Sequence, residues 1–223
     1  MPVFRDLLDK SIRRITDPVA EPLTVTEAKA HCSVPVEVTN FDAQFREWIQ
    51  SAREQVEADS ERCLMVQEWE LAMERFMAPT SFYSGNLSPM TYNCRAIELR
   101  KVPVIAITGF SYWNTAGALT SMVENTDYLL NIASEPGLIT PPALGQLPAN
   151  STTWPLMNPR LRGVVITWTA GYASASAVPG IAKQAMRMLI AHWWRNREAT
   201  GERPNKDHDR AYGGLINALK WRD

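Results

Sequence analysis

The sequence predicts an α+β fold, a helical bundle built from N-terminal and C-terminal helices with an inserted antiparallel β-sheet region. Near both ends of the chain, apolar residues recur at steps of three and four, whereas between them they alternate every second residue. Proline and glycine clusters separate the alternating segments, as turns separate strands. A chain of 223 residues with 45% hydrophobic content is long enough to bury a sizeable core.

The N-terminal segment predicts a short amphipathic arm over residues 1–21. Its apolar residues lie near helical spacing and are followed by two prolines that stop a helix: Phe4, Leu8, Ile12, Ile15, Pro18 and Pro22. Thr24 and Glu27 then form the pattern of a capping box, which predicts a helix to about Cys32.

The next helix has the most regular apolar stripe, and we expect it to run to about Arg62. Asn40 or Asp42 could cap its start. The stripe recurs at steps of three and four: Phe41, Phe45, Trp48, Ile49, Ala52 and Val56. These two helices and the C-terminal one define a predicted helical core over 22–64 and 178–200.

Residues 65–177 predict the inserted β region with long loops. Trp69, Leu71 and Met73 alternate with glutamates in a strand with one buried face. Further strands are predicted at Ile97 to Leu99, Val104 to Trp113, Tyr128 to Asn131, Leu138 to Thr140 and Val164 to Thr169. The segments 77–95 and 141–159 are read as long irregular loops, the first bearing aromatic residues and the second five prolines.

Pro179 predicts the start of a helix that continues to Glu198, because a proline at a helix N-terminus loses no hydrogen bond. A last short helix is expected around Tyr212 to Lys220. Trp193 and Trp194 point about 100° apart on a helix. Either Trp194 reaches a neighbouring subunit, or the helix is buried on two sides within one chain.

Charge is unevenly distributed along the chain. Residues 21–178 hold ten basic and sixteen acidic side chains, whereas residues 179–223 hold nine basic and five acidic ones. An acidic body with a basic end suits contacts with charged neighbours, although ordinary solvated faces would give the same counts. It differs from the uniformly basic domain of a free DNA-binding protein.

No arrangement of residues predicts catalysis, a metal site or a cofactor. The histidines His31, His192 and His208 are scattered, and no Cys-x-x-Cys pair or glycine-rich phosphate loop occurs. Three cysteines suit reduced, partly buried thiols. No apolar run is long enough to span a membrane, and the N-terminus lacks the layout of a secretory signal.

An ordered series of segments resembles phage head–tail connector (adaptor) proteins over about residues 22–198. It begins with Pro22 to His31, continues through a helix like Phe45 to Cys63 and a Trp-bearing strand like Gln67 to Leu71, and includes the step Val102-Pro103 and the segment at Asp127-Tyr128. It closes with Trp168 to Tyr172, Val178-Pro179 and a helix like Lys183 to Glu198. Each segment alone is weak, and their shared order is the specific feature.

The resemblance implies a ring of twelve copies beneath the portal protein, in the neck of a virion assembled in the host cytoplasm. Such a ring extends the channel for double-stranded DNA without sequence-specific binding, and it docks stopper or tail proteins. In related connectors the C-terminal segment, here 201–223, contacts the portal; the residues that would do so are Arg203, Lys206, Arg210, Tyr212, Leu215, Ile216, Leu219 and Trp221.

Three further sets of residues are expected at the surfaces of such a ring. Neighbouring subunits would meet at Trp194, Arg195 and Arg197, and the channel would be lined by Glu54, Glu57 and Glu61. Tail-side loops would present Phe82, Tyr83, Tyr92 and Trp154. The alternatives are a tail-completion or tail-terminator protein and, from another class, a small uncharacterised enzyme.

Overall fold

The computed structural model describes residues 11–76, 96–142, 154–196 and 206–220, and its elements confirm the α+β class. The chain divides into two compact units. The sheet unit comprises residues 1–16, 68–100 and 104–169, and the helical unit comprises 17–67, 101–103 and 170–223. In the described part of the chain, no helix is both long and apolar enough to cross a membrane.

The described residues of the helical unit form four α-helices. They are α1 (Val25–His31), α2 (Asp42–Ser60), α3 (Gly180–Arg195) and α4 (Lys206–Leu219). Helix α2 packs against the other three, and α3 also packs against α1 and α4. The predicted apolar stripe of α2 faces this core, which includes Phe45, Ile49, Ala52, Val56, Ala182, Ala185, Met186, Leu189, Ile190, Ile216 and Leu219.

The capping box predicted for α1 is confirmed, because the Thr24 hydroxyl accepts the Glu27 N–H at 3.2 Å and the Glu27 carboxylate accepts the Thr24 N–H at 2.8 Å. The predicted side-chain cap of α2 is wrong. Phe41 occupies the cap position without a side-chain bond, and Asp42 instead accepts from the buried ammonium of Lys29 at 2.7 Å. Helix α2 also ends at Ser60, since Glu61 adopts a left-handed conformation.

The sheet unit holds two antiparallel arrangements of strands. The larger sheet has the order β1 (Ser11–Thr16), β2 (Gln67–Met73), β8 (Val164–Ala170), β4 (Val104–Trp113) and β5 (Leu119–Ser121). The smaller sheet has the order β3 (Ile97–Leu99), β7 (Gly137–Thr140) and β6 (Leu129–Asn131). Burial alternates along β8, with Val164, Ile166 and Trp168 fully buried.

The helical reading of the N-terminal arm is wrong for its described part. Residues 11–16 form the edge strand β1, in which Ile12 pairs with Leu71 and Ile15 is bulged between Arg14 and Thr16. The prediction also missed β5. The Asn114 side chain shapes the turn before β5 by accepting the N–H groups of Ala116 and Ala118, both at 3.0 Å.

Strand β2 departs from the predicted alternation, because buried side chains occur on both of its faces. Glu70 is only 6% exposed, whereas Trp69 is half-buried. The reason is an ion pair with two arginines, described below.

Candidate functional site

The apolar side chains of helix α4 were expected to contact the portal, but four of them pack against the helical unit of their own chain. Ile216 and Leu219 are about 5% exposed and belong to the helical core, and Leu215 packs against it. The Tyr212 hydroxyl donates to Asp59 on α2 at 2.7 Å, and burial together with that carboxylate raises the pKa of Tyr212. In addition, the guanidinium of Arg62 donates to the Leu219 carbonyl. These groups therefore hold α4 onto its own chain.

Exposed charges remain on α4 and just past its end. Asp209 and Arg210 are exposed on the helix, with the small residues Gly214 and Ala218 further along it, and Lys220 is exposed directly after the last helical residue, Leu219. Lys206 begins the helix, and its side chain lies outside the described part, as do Arg203 and Trp221. A contact between α4 and a large partner would thus involve charge and not the predicted apolar stripe.

Trp194 on α3 packs within its own chain. Its ring lies 5.2 Å from the rings of both Phe41 and Phe45 and 6.2 Å from that of Trp48, measured between centroids. Trp193 also packs against the core from the neighbouring position. Of the two alternatives, burial of α3 on two sides within one chain is therefore the arrangement seen. Arg195 is exposed, and Arg197 lies outside the described residues.

The prediction that Glu57 lines a channel is wrong, because its carboxylate is buried inside the helical unit. It accepts from the Leu64 N–H at 2.7 Å, from the Gln67 amide at 2.8 Å and from the Arg53 guanidinium at 3.1 Å. Arg53 also donates to Glu21 at 2.8 Å. Burial raises the pKa of Glu57 despite these bonds. The group joins α2 to the segment that follows it.

An acidic row nevertheless remains along α2 and just past its end. Glu54 is exposed, and Glu47 lies seven residues before it on the same helix face; Glu61, also exposed, follows Ser60, the last helical residue. Seven residues are about two helical turns, or roughly 10 Å. The sequence analysis missed Glu47, although a count at steps of seven from Glu61 would have found it.

Trp154 was expected at a tail-side loop, but it is buried in the sheet unit at 8% exposure. Its ring stacks on Phe76 with a centroid distance of 5.0 Å, and Phe110 lies 6.1 Å away. Phe82, Tyr83 and Tyr92 lie outside the described residues. The stack therefore places Phe76, directly before the predicted loop at 77–95, beside Trp154, which lies within the predicted loop at 141–159.

A buried carboxylate that the sequence analysis did not single out ties the sheet unit together. Glu70 accepts from Arg13 at 2.7 and 3.2 Å and from Arg162 at 2.8 and 2.9 Å. These arginines, Arg162 above all, lower the pKa of Glu70 to about 2. The partners are 57 and 92 positions away in sequence, so no local pattern could have revealed them.

The histidines form no catalytic constellation among the described residues. The rings of His192 and His208 lie 4.5 Å apart between α3 and α4, and His208 stacks on Tyr212 at 6.4 Å. In the part of the chain that the structure describes, no group of three or more His, Cys, Asp or Glu side chains could hold a metal ion.

Comparisons with solved structures place this fold in phage-like particles. The chain matches a chain in the neck of the empty gene transfer agent particle, computed with C6 symmetry, with TM-score 0.66 and 21% identity over 96% of both chains. It matches a chain in the neck of the native particle, computed with C12 symmetry, with TM-score 0.64 and 20% identity over 96% of both. It also matches a chain in the virion of the native particle, with TM-score 0.65 and 19% identity over 95% of this chain and 96% of the other.

Neither family models nor curated proteins match the sequence. At these identities the structural likeness shows a common fold. Its cover extends over nearly the whole of both chains, so it includes the sheet unit and the helical unit alike. The neck of a phage-like particle is also where the resemblance in sequence pointed.

Proposed function

We propose that this chain, which has the fold of a chain in the neck of gene transfer agent particles, is a head–tail connector (adaptor) subunit of a tailed phage or phage-like particle. Its ring would lie under the portal, extend the DNA channel and dock stopper or tail proteins. The observation on which the proposal rests is the shared fold over 96% of both chains. The role is structural and uses no catalytic group.

Twelve copies form the proposed ring. The matched neck structures were computed with C6 and with C12 symmetry, and a ring of twelve is compatible with both. A closed ring of identical chains requires each subunit to present one surface to the next subunit's different surface.

The acidic row of Glu47, Glu54 and Glu61 is the proposed channel wall. The three carboxylates are exposed, two on one face of α2 and Glu61 just past its end, and their negative charge repels DNA phosphates. A repelling wall lets a duplex slide, because it offers no phosphate-binding contact that would hold DNA in place. Reversal of all three to lysine should make the assembled ring retain DNA at low salt and release it at high salt.

The proposed portal contact uses Arg210 on α4 and Lys220 just past its end. Arg210 and Lys220 are exposed, and they contribute to the basic end of the chain. The apolar side of α4 is occupied by its own core, so the contact depends on charge and weakens as salt increases. The proposed tail contact lies on the sheet unit, near Phe76 and Trp154.

The test is a binding assay with the purified full chain against portal rings and, separately, tail tubes. We expect binding to the portal, whereas binding only to the tail tube would identify a tail-completion or terminator protein. The double variant Arg210→Glu/Lys220→Glu should lose portal binding. Arg46→Glu is the matched control, because Arg46 is an exposed arginine of the same unit on α2.

A further inference from the structure

One end of the sheet unit presents exposed leucines among arginines. Leu156 and Leu161 are 85% and 80% exposed, and Arg75, Arg160 and Arg162 are exposed beside them. We call these five residues the basic patch. Each of the two leucines exposes an aliphatic side chain that would lose water on contact with a partner.

The basic patch is held in place by bonds to the sheet. The Arg160 guanidinium lies 4.0 Å from the centre of the Trp113 ring. The backbone N–H of Arg160 donates to the Glu74 carbonyl at 3.3 Å. Arg162 is fixed by its two bonds to Glu70. The half-buried Glu74 is the acidic residue next to the patch. A surface already ordered before contact loses little entropy on binding.

A second surface of the sheet unit has the opposite charge. Val123 and Ile132 are 58% and 52% exposed, with Glu124 and Glu135 exposed beside them. We call these four residues the acidic patch. Residues 114–142 contain no lysine or arginine. The first turn of the patch is ordered, since the Val123 N–H donates to the Asp127 carboxylate and the Asp127 N–H to the Val123 carbonyl, both at 2.8 Å.

The two patches occupy different parts of the sheet unit. Arg160 contacts Trp113, the last residue of β4. Val123 and Glu124 follow Met122, whose N–H donates to Phe110, three residues before Trp113, whereas Ile132 and Glu135 precede Gly137, which lies against Val104 at the start of the strand. The acidic patch therefore extends along β4 away from the end that Arg160 contacts. One unit thus carries two different surfaces of opposite charge, as a head-to-tail contact between identical chains requires.

We infer that the basic patch of one copy binds the acidic patch of the next, so that sheet units join neighbouring copies of this chain head to tail. The inference rests on the proposed ring and names one interface within it. Complementary charge guides the two patches together, and the four aliphatic side chains lose water at the contact. The occupant is a second copy because the opposite patch that it must supply is present on the same chain.

Charge reversal tests this contact in the full chain. One variant carries Arg75→Glu and Arg160→Glu, and the other carries Glu124→Lys and Glu135→Lys; Arg162 stays, because it binds Glu70. Sedimentation velocity up to about 1 mM protein detects even weak association. Each variant alone should associate about tenfold more weakly than the unmodified chain, or worse. An equimolar mixture should regain association, because every contact between the two variants again joins opposite charges.

The inference is overturned if either variant associates like the unmodified chain, if the mixture stays as weak as its components, or if the unmodified chain does not associate at all. The variant Leu156→Asp is a second, independent test. This leucine is almost fully exposed, so its replacement should leave the fold intact. The variant should also weaken association about tenfold. Binding of the unmodified chain to portal rings is measured separately. If that binding persists while the patches prove irrelevant, only this interface is lost, whereas failure to bind any neck component defeats the proposed function.

Discussion

Replacement of Glu70 by glutamine should destabilise the sheet unit in a way that depends on pH. The carboxylate is 6% exposed and accepts four hydrogen bonds from Arg13 and Arg162. Its pKa falls from 4.5 to about 2, which corresponds to roughly 3 kcal/mol at about 1.4 kcal/mol for each pKa unit. Both guanidiniums are at least half exposed, so water screens the pair and we expect a loss of about 2 kcal/mol.

The pH dependence distinguishes this ion pair from a simple packing defect. Because the pKa of Glu70 is lower in the folded chain than in the unfolded one, its stabilisation is complete above about pH 4.5 and is lost as the pH falls toward 2. Urea unfolding of the unmodified chain and of Glu70→Gln at pH 7 and pH 3.5 should therefore show a smaller difference at the lower pH.

Glu98→Gln is the matched control. Glu98 is an exposed carboxylate on β3 whose ion pair with Arg100, at 3.5 Å, is open to water. Its replacement should change stability by less than about 0.5 kcal/mol. A difference between the unmodified chain and Glu70→Gln that is equally large at pH 7 and pH 3.5, or no larger than that of the control, would refute the reasoning.

Further predictions concern the helical unit, and urea unfolding measures each. Leu219→Ala should cost about 2–4 kcal/mol, since Leu219 is a buried core residue; an effect below about 1 kcal/mol would contradict the packing of α4. Glu57→Ala should cost about 3 kcal/mol, because it leaves the buried Arg53 without its closest partner on α2, and a neutral result would contradict the buried pair. Tyr212→Phe removes the bond to Asp59 and should cost about 1 kcal/mol, with an unchanged stability counting against that bond. Deletion of 203–223 should lower the unfolding midpoint as well as abolish portal binding, because α4 supplies core residues; an unchanged midpoint would contradict that packing.

The elements with strong periodicity were predictable from the sequence. The stripe of α2, the capping box of α1 and the β-branched run of β8 each satisfy a local rule, and the structure confirms all three elements. Strand β1 was not predictable because a bulge at Ile15 interrupts its alternation. Ile12 and Ile15 are three positions apart in sequence, which is also the spacing of residues on one helix face. In the strand, the bulge accommodates this spacing.

The surfaces were harder to predict because an apolar stripe does not reveal what covers it. Ile216 and Leu219 have the spacing of a face that docks on a partner, and the same spacing serves a helix packed on its own bundle. Trp194 has the same ambiguity. Glu57 looks like one of several glutamates on α2, and only the fold brings Arg53, Leu64 and Gln67 around it.

What the sequence did support was the order of its segments. No single motif identifies a neck protein, yet the order of the segments over about residues 22–198 pointed to the neck of a phage-like particle. Two of the solved structures with a similar fold are of the neck of gene transfer agent particles. Contacts with particular partners depend on surface residues such as Arg210 and Glu124, whose roles follow no general spacing rule.

The most direct test of the connector role is electron microscopy of the full chain mixed with purified portal rings. We expect a second ring of twelve chains attached to one end of the portal and coaxial with its channel. Portal rings that remain bare at saturating concentrations of the chain would contradict it.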